Sequence, residues 1–432
     1  MNTTQVAVIA GGLGSRVHNL TQGQPKCLLK VNNSTILDLQ LDFFVRNNLK
    51  KVHLFLGFGA EQIVKHLESR HDVEFEFHIE PHPRGSAGEL ISKLSEIDED
   101  LIVVHGDLYL DFPIEGMIDE LHNSGAPFIQ LVHPSNHMKD SDIVETDEHG
   151  NILSIICKPH SRNLVTRNQC NAGVFIFNKN FFTQIGIIAA SLAQSKIDLD
   201  RDLIPHLLAG GLKGRAHRNL GIVRDLGTPE RLTTFNSNSK SPDNNYSKPM
   251  IFLDRDGVIN KDFGWISSIS SFEVYDDVPE AIGLLNKNGY RISVVTNQPV
   301  VARGETSLAE INKMHSRLDV MLALQNAFID EYFVCPHHPD TGFPGEIAEF
   351  KITCNCRKPE VGLLEQALQK FPTEMANSWM IGDTWRDNEA ANRMNLNFIQ
   401  INREAKTSDT SGTVPKFKDL IGAVNYLLKF LN

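Results

Sequence analysis

Four apolar residues, Met250-Ile-Phe-Leu253, end abruptly in Asp254-Arg-Asp256-Gly257. A short continuous apolar run suits a strand buried on both faces, as in a parallel sheet. Its closing carboxylates would then lie at the C-terminal sheet edge, where open α/β sheets collect their ligands. An Asp-Gly turn would produce the same tetrapeptide, so the rest of the chain has to decide. Residues 291–295 read as a second strand that runs into Thr296-Asn297. Residues 379–381 read as another and run into Gly382-Asp383, with Asp387 a turn later. Helices are predicted over 278–288, closed by Gly289, and over 308–324, and a strand over 328–334. This alternation puts Asp254, Asp256, Thr296, Asn297 and Asp383 at one edge of a parallel sheet.

The strand at 328–334 leads into Cys335-Pro-His337-His338, and Cys354-Asn-Cys356 follows sixteen residues after His338. Residues two apart in extended chain point the same way, so each pair can aim both ligands at one point. Three thiolates and one imidazole satisfy tetrahedral zinc with no position left open, which predicts a structural Zn²⁺ on Cys335, His337, Cys354 and Cys356. His338 could stand in for His337, though the alternate spacing favours His337. Arg357-Lys358-Pro359 comes next, so this loop would position two cations. Cys27, Cys157 and Cys170 have no motif partner, and six cysteines in 432 residues do not make a disulfide scaffold.

The first half repeats the theme. The apolar run 6–10 breaks into Gly11-Gly12-Leu13-Gly14-Ser15-Arg16. This is neither a G-x-G-x-x-G fingerprint nor a P-loop. Glycines at a strand end still let backbone N–H groups approach a phosphate chain, and Arg16 and Lys26 supply cations. A helix over 36–45, a strand over 51–56, a helix over 60–67 and a strand over 73–79 follow. Gly85-Ser-Ala-Gly88 opens another helix, and a strand over 101–105 ends in Gly106-Asp107. Residues 236–248 are polar and unable to bury a core, so they read as a linker between domains at 1–235 and 249–432. The expected fold class is α/β: two Rossmann-like, doubly wound domains. Net charge is −11 without a basic stripe, which argues against nucleic acid. The near-apolar run 185–193 is too short for a bilayer, and the N-terminus lacks a signal-peptide pattern. A cytoplasmic enzyme acting on small molecules is the expectation, with an oligomer possible.

Two resemblances give these patterns content. Gly-Gly-Leu-Gly-Ser-Arg, Pro25-Lys26, Gly85-Ser-Ala-Gly88, Gly106-Asp107, Asn171-Ala-Gly173 and Asp225-Leu-Gly-Thr-Pro-Glu230 resemble, in order, the signatures of sugar-1-phosphate nucleotidyltransferases over about residues 5–235. The segment 199–205 is similar to the branch that makes GDP-heptose or GDP-mannose, which implies GTP as substrate. The resemblance implies that Gly11, Gly12, Leu13 and Gly14 hold the triphosphate with Arg16, and that Lys26 neutralises developing charge. It also implies that Asp107 and Asp225 hold Mg²⁺, that Gly85 and Gly88 line the base pocket, and that Lys158 and Asn171 face the sugar phosphate. Cys157-Lys158-Pro159 departs from that family's Glu-Lys-Pro.

The second half, over about 250–402, resembles the haloacid dehalogenase phosphatase superfamily in its order Asp-x-Asp-Gly, Thr-Asn, Arg-Lys-Pro, Gly-Asp-x-x-x-Asp. With its Cys/His loop it is most similar to heptose-bisphosphate phosphatases, with histidinol-phosphate phosphatases as relatives. That implies Asp254 as nucleophile, Asp256 as general acid and base, and Mg²⁺ held by Asp254, Asp383 and the Asp256 carbonyl. Thr296, Asn297 and Lys358 would hold the phosphoryl oxygens, and Arg303 and Arg357 the substrate's other phosphate. Gln298-Pro299 departs from the pattern, and proline there removes a backbone donor. A mannose-1-phosphate transferase joined to a histidinol-phosphate-like phosphatase is the alternative pairing.

Overall fold

The structure is a computed structural model that describes residues 4–12, 23–161, 163–192, 196–238, 246–410 and 412–431. The chain forms two compact units: 1–133, 142–158 and 169–246 make the first, and 134–141, 159–168 and 247–432 the second. This differs from the expected contiguous split in two respects. Segments 134–141 and 159–168 belong with the second unit, where the buried carboxylate of Asp319 accepts from Arg167 Nε at 2.8 Å and Asn168 N at 3.0 Å. The helix Pro229–Asn238 also runs into the stretch expected to be linker. Leu232 and Phe235, three apart, pack one face of it against Tyr109, with the Phe235 ring 4.6 Å from the Tyr109 ring.

The first unit is built on four parallel strands, β1 (Gln5–Ala10), β2 (Lys51–Leu56), β3 (Glu74–Ile79) and β4 (Leu101–His105), in the order β3-β2-β1-β4. The helix Ile36–Arg46 makes the first crossover. Thr35 and Asp38 close its N-terminus reciprocally as a capping box, and it buries Ile36, Leu37, Leu41, Phe43 and Phe44. Beyond β4 the pairing changes. The strands β5 (Phe128–His133), β6 (Ile143–Thr146), β7 (Ile152–Ile156) and β8 (Cys170–Phe177) follow one another without crossover helices, and β8 adds antiparallel to β4, β5 and β6. Parallel pairing needs a crossover, so the sheet is parallel only as far as the strand–helix rhythm lasts. The last strand, β9 (Arg215–Arg218), lies parallel to β5.

The second unit is a six-stranded parallel sheet: β10 (Met250–Leu253), β11 (Arg291–Asn297), β12 (Glu331–Cys335), β13 (Trp379–Gly382), β14 (Asn397–Ile401) and β15 (Lys416–Phe417), in the order β12-β11-β10-β13-β14-β15. Every residue of β10 is fully buried, as a continuous apolar run requires. The helix Leu308–Ala323 starts at Ser307, whose Oγ accepts from Glu310 N at 3.2 Å, and buries Ile311, Met314, Leu318 and Leu322 along one stripe. In both units the first strand is central, flanked by the second and the fourth. The strand order therefore reverses between them, and a crevice opens at their carboxyl ends. No helix among the described residues is long and apolar enough to cross a membrane.

Candidate active sites

In the second unit the crevice lies between β10 and β13. Asp254 and Asp383 extend from these two strands. Gly257 has φ +78°, and a Cβ on it would stand 2.3 Å from Asp383 Oδ2, so only glycine fits this turn. The helix Trp385–Arg393 begins at Thr384, whose N and Oγ1 donate to Asp387 Oδ2 at 3.0 and 2.7 Å. That cap leaves Asp387 Oδ1 for Lys358, whose buried Nζ stands 2.6 Å from it and 2.9 Å from Asp254 Oδ1. Asn297 fixes Lys358 by accepting from its N and donating to its O, each at 3.0 Å.

Asp254, Asp383 and Asp387 bring carboxylate oxygens within 4.8 Å of one another. Burial pushes the Asp254 carboxyl up to about 8, with Lys358 opposing and Asp387 and Asp383 reinforcing. Burial also lifts Asp383 to about 6. Asp383 Oδ1 is buried without a hydrogen-bond partner. Crowded carboxylates, two of them raised, with an unsatisfied oxygen are a donor set that fits a hard divalent cation such as Mg²⁺.

The Asp256 carboxylate has separate partners. Arg255 Nη2 donates to its two oxygens at 2.9 and 3.1 Å, Asn260 Nδ2 at 2.9 Å and Gln298 Nε2 at 2.7 Å. Gln298 Nε2 also reaches Thr296 Oγ1 at 2.8 Å, and Thr296 is buried, so this hydroxyl supports Gln298. Around the pair lies a cavity of ≈ 310 Å³, lined by Asn297, Arg303, His338, Arg357, Lys358 and Arg386 among others. The Arg303 guanidinium is 3.8 Å from the Trp265 ring and 4.5 Å from the Phe343 ring, which fixes its direction.

The loop after β12 gathers Cys335, His337, Cys354 and Cys356. Cys335 Sγ lies 3.6 Å from Cys354 Sγ and 3.7 Å from His337 Nδ1, and Cys356 Sγ lies 3.3 Å from Cys354 Sγ and 3.2 Å from His337 Nδ1. Tetrahedral zinc with bonds of about 2.3 Å to sulfur sets neighbouring sulfurs roughly 3.7 Å apart, so the cluster is of the right size. All three thiols are free. His338 lines the cavity instead. Arg357 Nη1 donates to His337 O at 3.3 Å, which ties the cationic wall to this loop.

In the first unit the crevice lies between β1 and β4. Gly106 N donates to Ile9 O at 2.9 Å, and Asp107 forms an ion pair with Lys26. Burial opposes ionisation of Asp107, but Lys26 and His105 hold its carboxyl below the usual range. The strand Ile222–Asp225 pairs with Leu108–Asp111, which brings Asp225 beside Asp107, and Leu226 N donates to Asp107 O at 2.9 Å. Asp225 pairs with Arg231 and accepts from Gly227 N at 2.6 Å. A Cβ on Gly227 would stand 2.1 Å from Lys26 Nζ. Lys26, Asp107 and Asp225 thus meet around one glycine.

Asn171 Nδ2 donates to Asp200 Oδ1 at 2.5 Å, and Asp200 Oδ2 faces His105 Nε2 at 2.9 Å. Lys158 N is held by Asp142 Oδ1 at 2.9 Å, two residues past β7. Gly85 has φ +84°, and a Cβ there would be 2.3 Å from Ile197 O, so packing alone demands glycine. Gly11 and Gly12 close β1, whereas Leu13, Gly14 and Arg16 lie outside the described residues. The sequence reading gave no role to Asp387, Gln298, Asn260, Arg255, His105 or Asp200. Asp387, Gln298 and Asp200 stood inside quoted motifs, and Asp387 also carried the Thr384-x-x-Asp387 spacing of a capping box.

Comparison with known proteins gives each half of the chain a family. Residues 6–241, more than half of the chain, match the nucleotidyl transferase family model, and residues 355–420 match the HAD-hydrolase-like model. The D-glycero-beta-D-manno-heptose-1,7-bisphosphate 7-phosphatase of Salmonella typhi is 42% identical over 150 residues, covering 35% of this chain and 78% of that protein. Its namesake from Haemophilus influenzae is 34% identical over 183 residues, covering 42% of this chain and 97% of that protein. Among solved structures, HddC from Yersinia pseudotuberculosis aligns with 55% of this chain and 99% of its own, at 19% identity and a TM-score of 0.44. With its two crevices, the chain belongs to the nucleotidyl transferase family through its first half and to the family of HAD-like heptose-bisphosphate phosphatases through its second.

Proposed function

We propose that the protein is a bifunctional enzyme of nucleotide-activated heptose synthesis. The second unit hydrolyses the 7-phosphate of D-glycero-D-manno-heptose 1,7-bisphosphate. The first transfers GMP from GTP to the resulting heptose 1-phosphate, giving GDP-heptose and pyrophosphate. One observation carries the reading: a unit akin to heptose-bisphosphate 7-phosphatases shares a chain with a nucleotidyl transferase. The product of that phosphatase reaction is a sugar 1-phosphate, the nucleophile a sugar nucleotidyltransferase needs. GTP follows from the resemblance of residues 199–205 to the GDP-sugar branch.

In the phosphatase, Asp254 attacks phosphorus and the bond to the sugar O7 breaks. Asp256, oriented by Arg255, Asn260 and Gln298, protonates the departing oxygen. It then takes a proton from the water that hydrolyses the aspartyl-phosphate, releasing inorganic phosphate. Lys358 neutralises phosphoryl oxygens beside Asp254, and Arg303, Arg357 and Arg386 offer the cavity wall to the phosphate that stays. Mg²⁺ held by Asp254, Asp383 and the Asp256 carbonyl would supply charge neutralisation at phosphorus. Zn²⁺ on Cys335, His337, Cys354 and Cys356 would be structural, pinning the loop that aims Arg357.

In the transferase, the sugar phosphate oxygen attacks the α-phosphorus and pyrophosphate leaves, so positioning and charge neutralisation dominate. Lys26 offsets the developing charge. Asp107 and Asp225 are the residues that would hold Mg²⁺, and Asn171 and Lys158 face the sugar phosphate. The glycine loop with Arg16 takes the triphosphate, and Gly85 and Gly88 border the base. The setting is cytoplasmic.

The test is a single incubation with heptose 1,7-bisphosphate, Mg²⁺ and an equimolar mixture of GTP, ATP, CTP and UTP. Phosphate, pyrophosphate and GDP-heptose should rise together while GTP alone falls. Phosphate release without any nucleotide-heptose would sink the joint reading, and consumption of another nucleotide would sink the assignment of GTP.

A further inference from the structure

A second cluster of metal-ligand type lies in the first unit, on the strands β2 and β3. His53 in β2 stands opposite Glu76 in β3, and His78 lies two residues beyond Glu76, so all three side chains share one face. His53 Nδ1 is 3.1 Å from His78 Nε2 and 3.5 Å from Glu76 Oε2, and His78 Nε2 is 3.8 Å from Glu76 Oε1. Zinc bound at about 2.0–2.1 Å by tetrahedral nitrogen and oxygen ligands places those atoms roughly 3.3 Å apart, and the three distances bracket this.

The outer partner of His53 points the same way. His53 Nε2 lies 2.7 Å from Gln5 Oε1, an oxygen that can only accept, so Nε2 carries the hydrogen and Nδ1 presents its lone pair to the cluster. Gln5 Nε2 is itself tied to Asp98 Oδ1 at 3.3 Å. Protein metal sites orient a ligating imidazole with this kind of bond. The Phe55 ring stacks on His78 at 4.6 Å and limits its rotation. The setting explains why a clamp would be of use. β3 is the edge of the sheet, and His78 is its one buried side chain, with Phe75 alone of its apolar residues packed against the core, so modest apolar packing holds this strand.

We propose that His53, Glu76 and His78 bind a zinc-class divalent cation that fastens the edge strand β3 to β2, with water completing the shell on the half-exposed Glu76 side.

The experiment uses the full chain, with zinc already in the Cys335 loop and millimolar Mg²⁺ present, titrated with Zn²⁺ and, separately, with Co²⁺. Wild type should take up one further equivalent of zinc, with a rise in Tm. His53→Gln and His78→Gln should lose it. Gln5→Leu should weaken it about 10- to 100-fold. Glu76 is half exposed, so Glu76→Gln keeps the fold intact and should still weaken binding. Co²⁺ in the site should show d–d bands without thiolate charge transfer. Uptake confined to the Cys335 loop, a further equivalent that survives both histidine substitutions, or thiolate charge transfer from that equivalent would each overturn the proposal.

Discussion

Asp254 and Asp256 stand two residues apart, yet their partners divide their tasks. Asp254 faces Lys358 and two carboxylates, whereas Asp256 takes donors from Arg255, Asn260 and Gln298. Asp254→Asn should abolish phosphate release while leaving nucleotidyl transfer from supplied heptose 1-phosphate intact, as separate assays of the two reactions would read. Gly227→Ala makes the complementary prediction. Its Cβ would strike the end of the Lys26 side chain, which can swing away, so Tm should shift little while transfer falls by an order of magnitude or more. The pair His105–Asp200 sets a pH dependence. Burial opposes charge on His105, but Asp200 lifts its pKa to about 9 from an ordinary 6.5. A group raised by folding stabilises fully below its unfolded value and loses that contribution as pH climbs through the folded one. The Tm advantage of wild type over Asp200→Asn should therefore be full near pH 6 and shrink towards about pH 9, as melts across that window would show.

At the scale of elements, what the sequence disclosed was whatever a period or a punctuation mark can carry. Strands 51–56 and 101–105 and helix 60–67 stand where the pattern puts them, because each is an uninterrupted run between breakers. The antiparallel pairing of β8 in the first unit was not legible, since it depends on which strands lack a crossover. Side chains that act through distant partners were equally hidden. Arg255 looks like a spacer between two aspartates, but it is wholly buried and folds back on Asp256. His53 and His78 look like interruptions of apolar strands and meet only through the register of β2 with β3. The Cys/His loop was legible because its spacing is itself the geometry. Chelating the Zn²⁺ proposed for it should loosen residues 335–356 and misdirect Arg357, raising KM for the bisphosphate more than it lowers kcat, and zinc should restore both. An unchanged KM in the stripped enzyme would disconnect the loop from the substrate.

At the scale of the whole molecule, two crevices share one chain, and the described residues of each come from its own unit. A mixture of Asp254→Asn and Asp107→Asn proteins should therefore convert heptose bisphosphate and GTP into GDP-heptose, though each alone fails. Its rate should approach that of wild type as concentration rises, because the intermediate passes through solution; a lag that lengthens on dilution is the readout. The central first strand of each unit has a further consequence, in the time of synthesis. Asp383 is made about 130 residues after Asp254, a matter of roughly ten seconds at ordinary elongation rates. Until β13 is made and inserted beside β10, Asp254 lacks the Asp383 carboxylate beside it. A half-made phosphatase unit lacks part of its crevice, so the nascent chain should leave sugar phosphates untouched until Asp383 joins it.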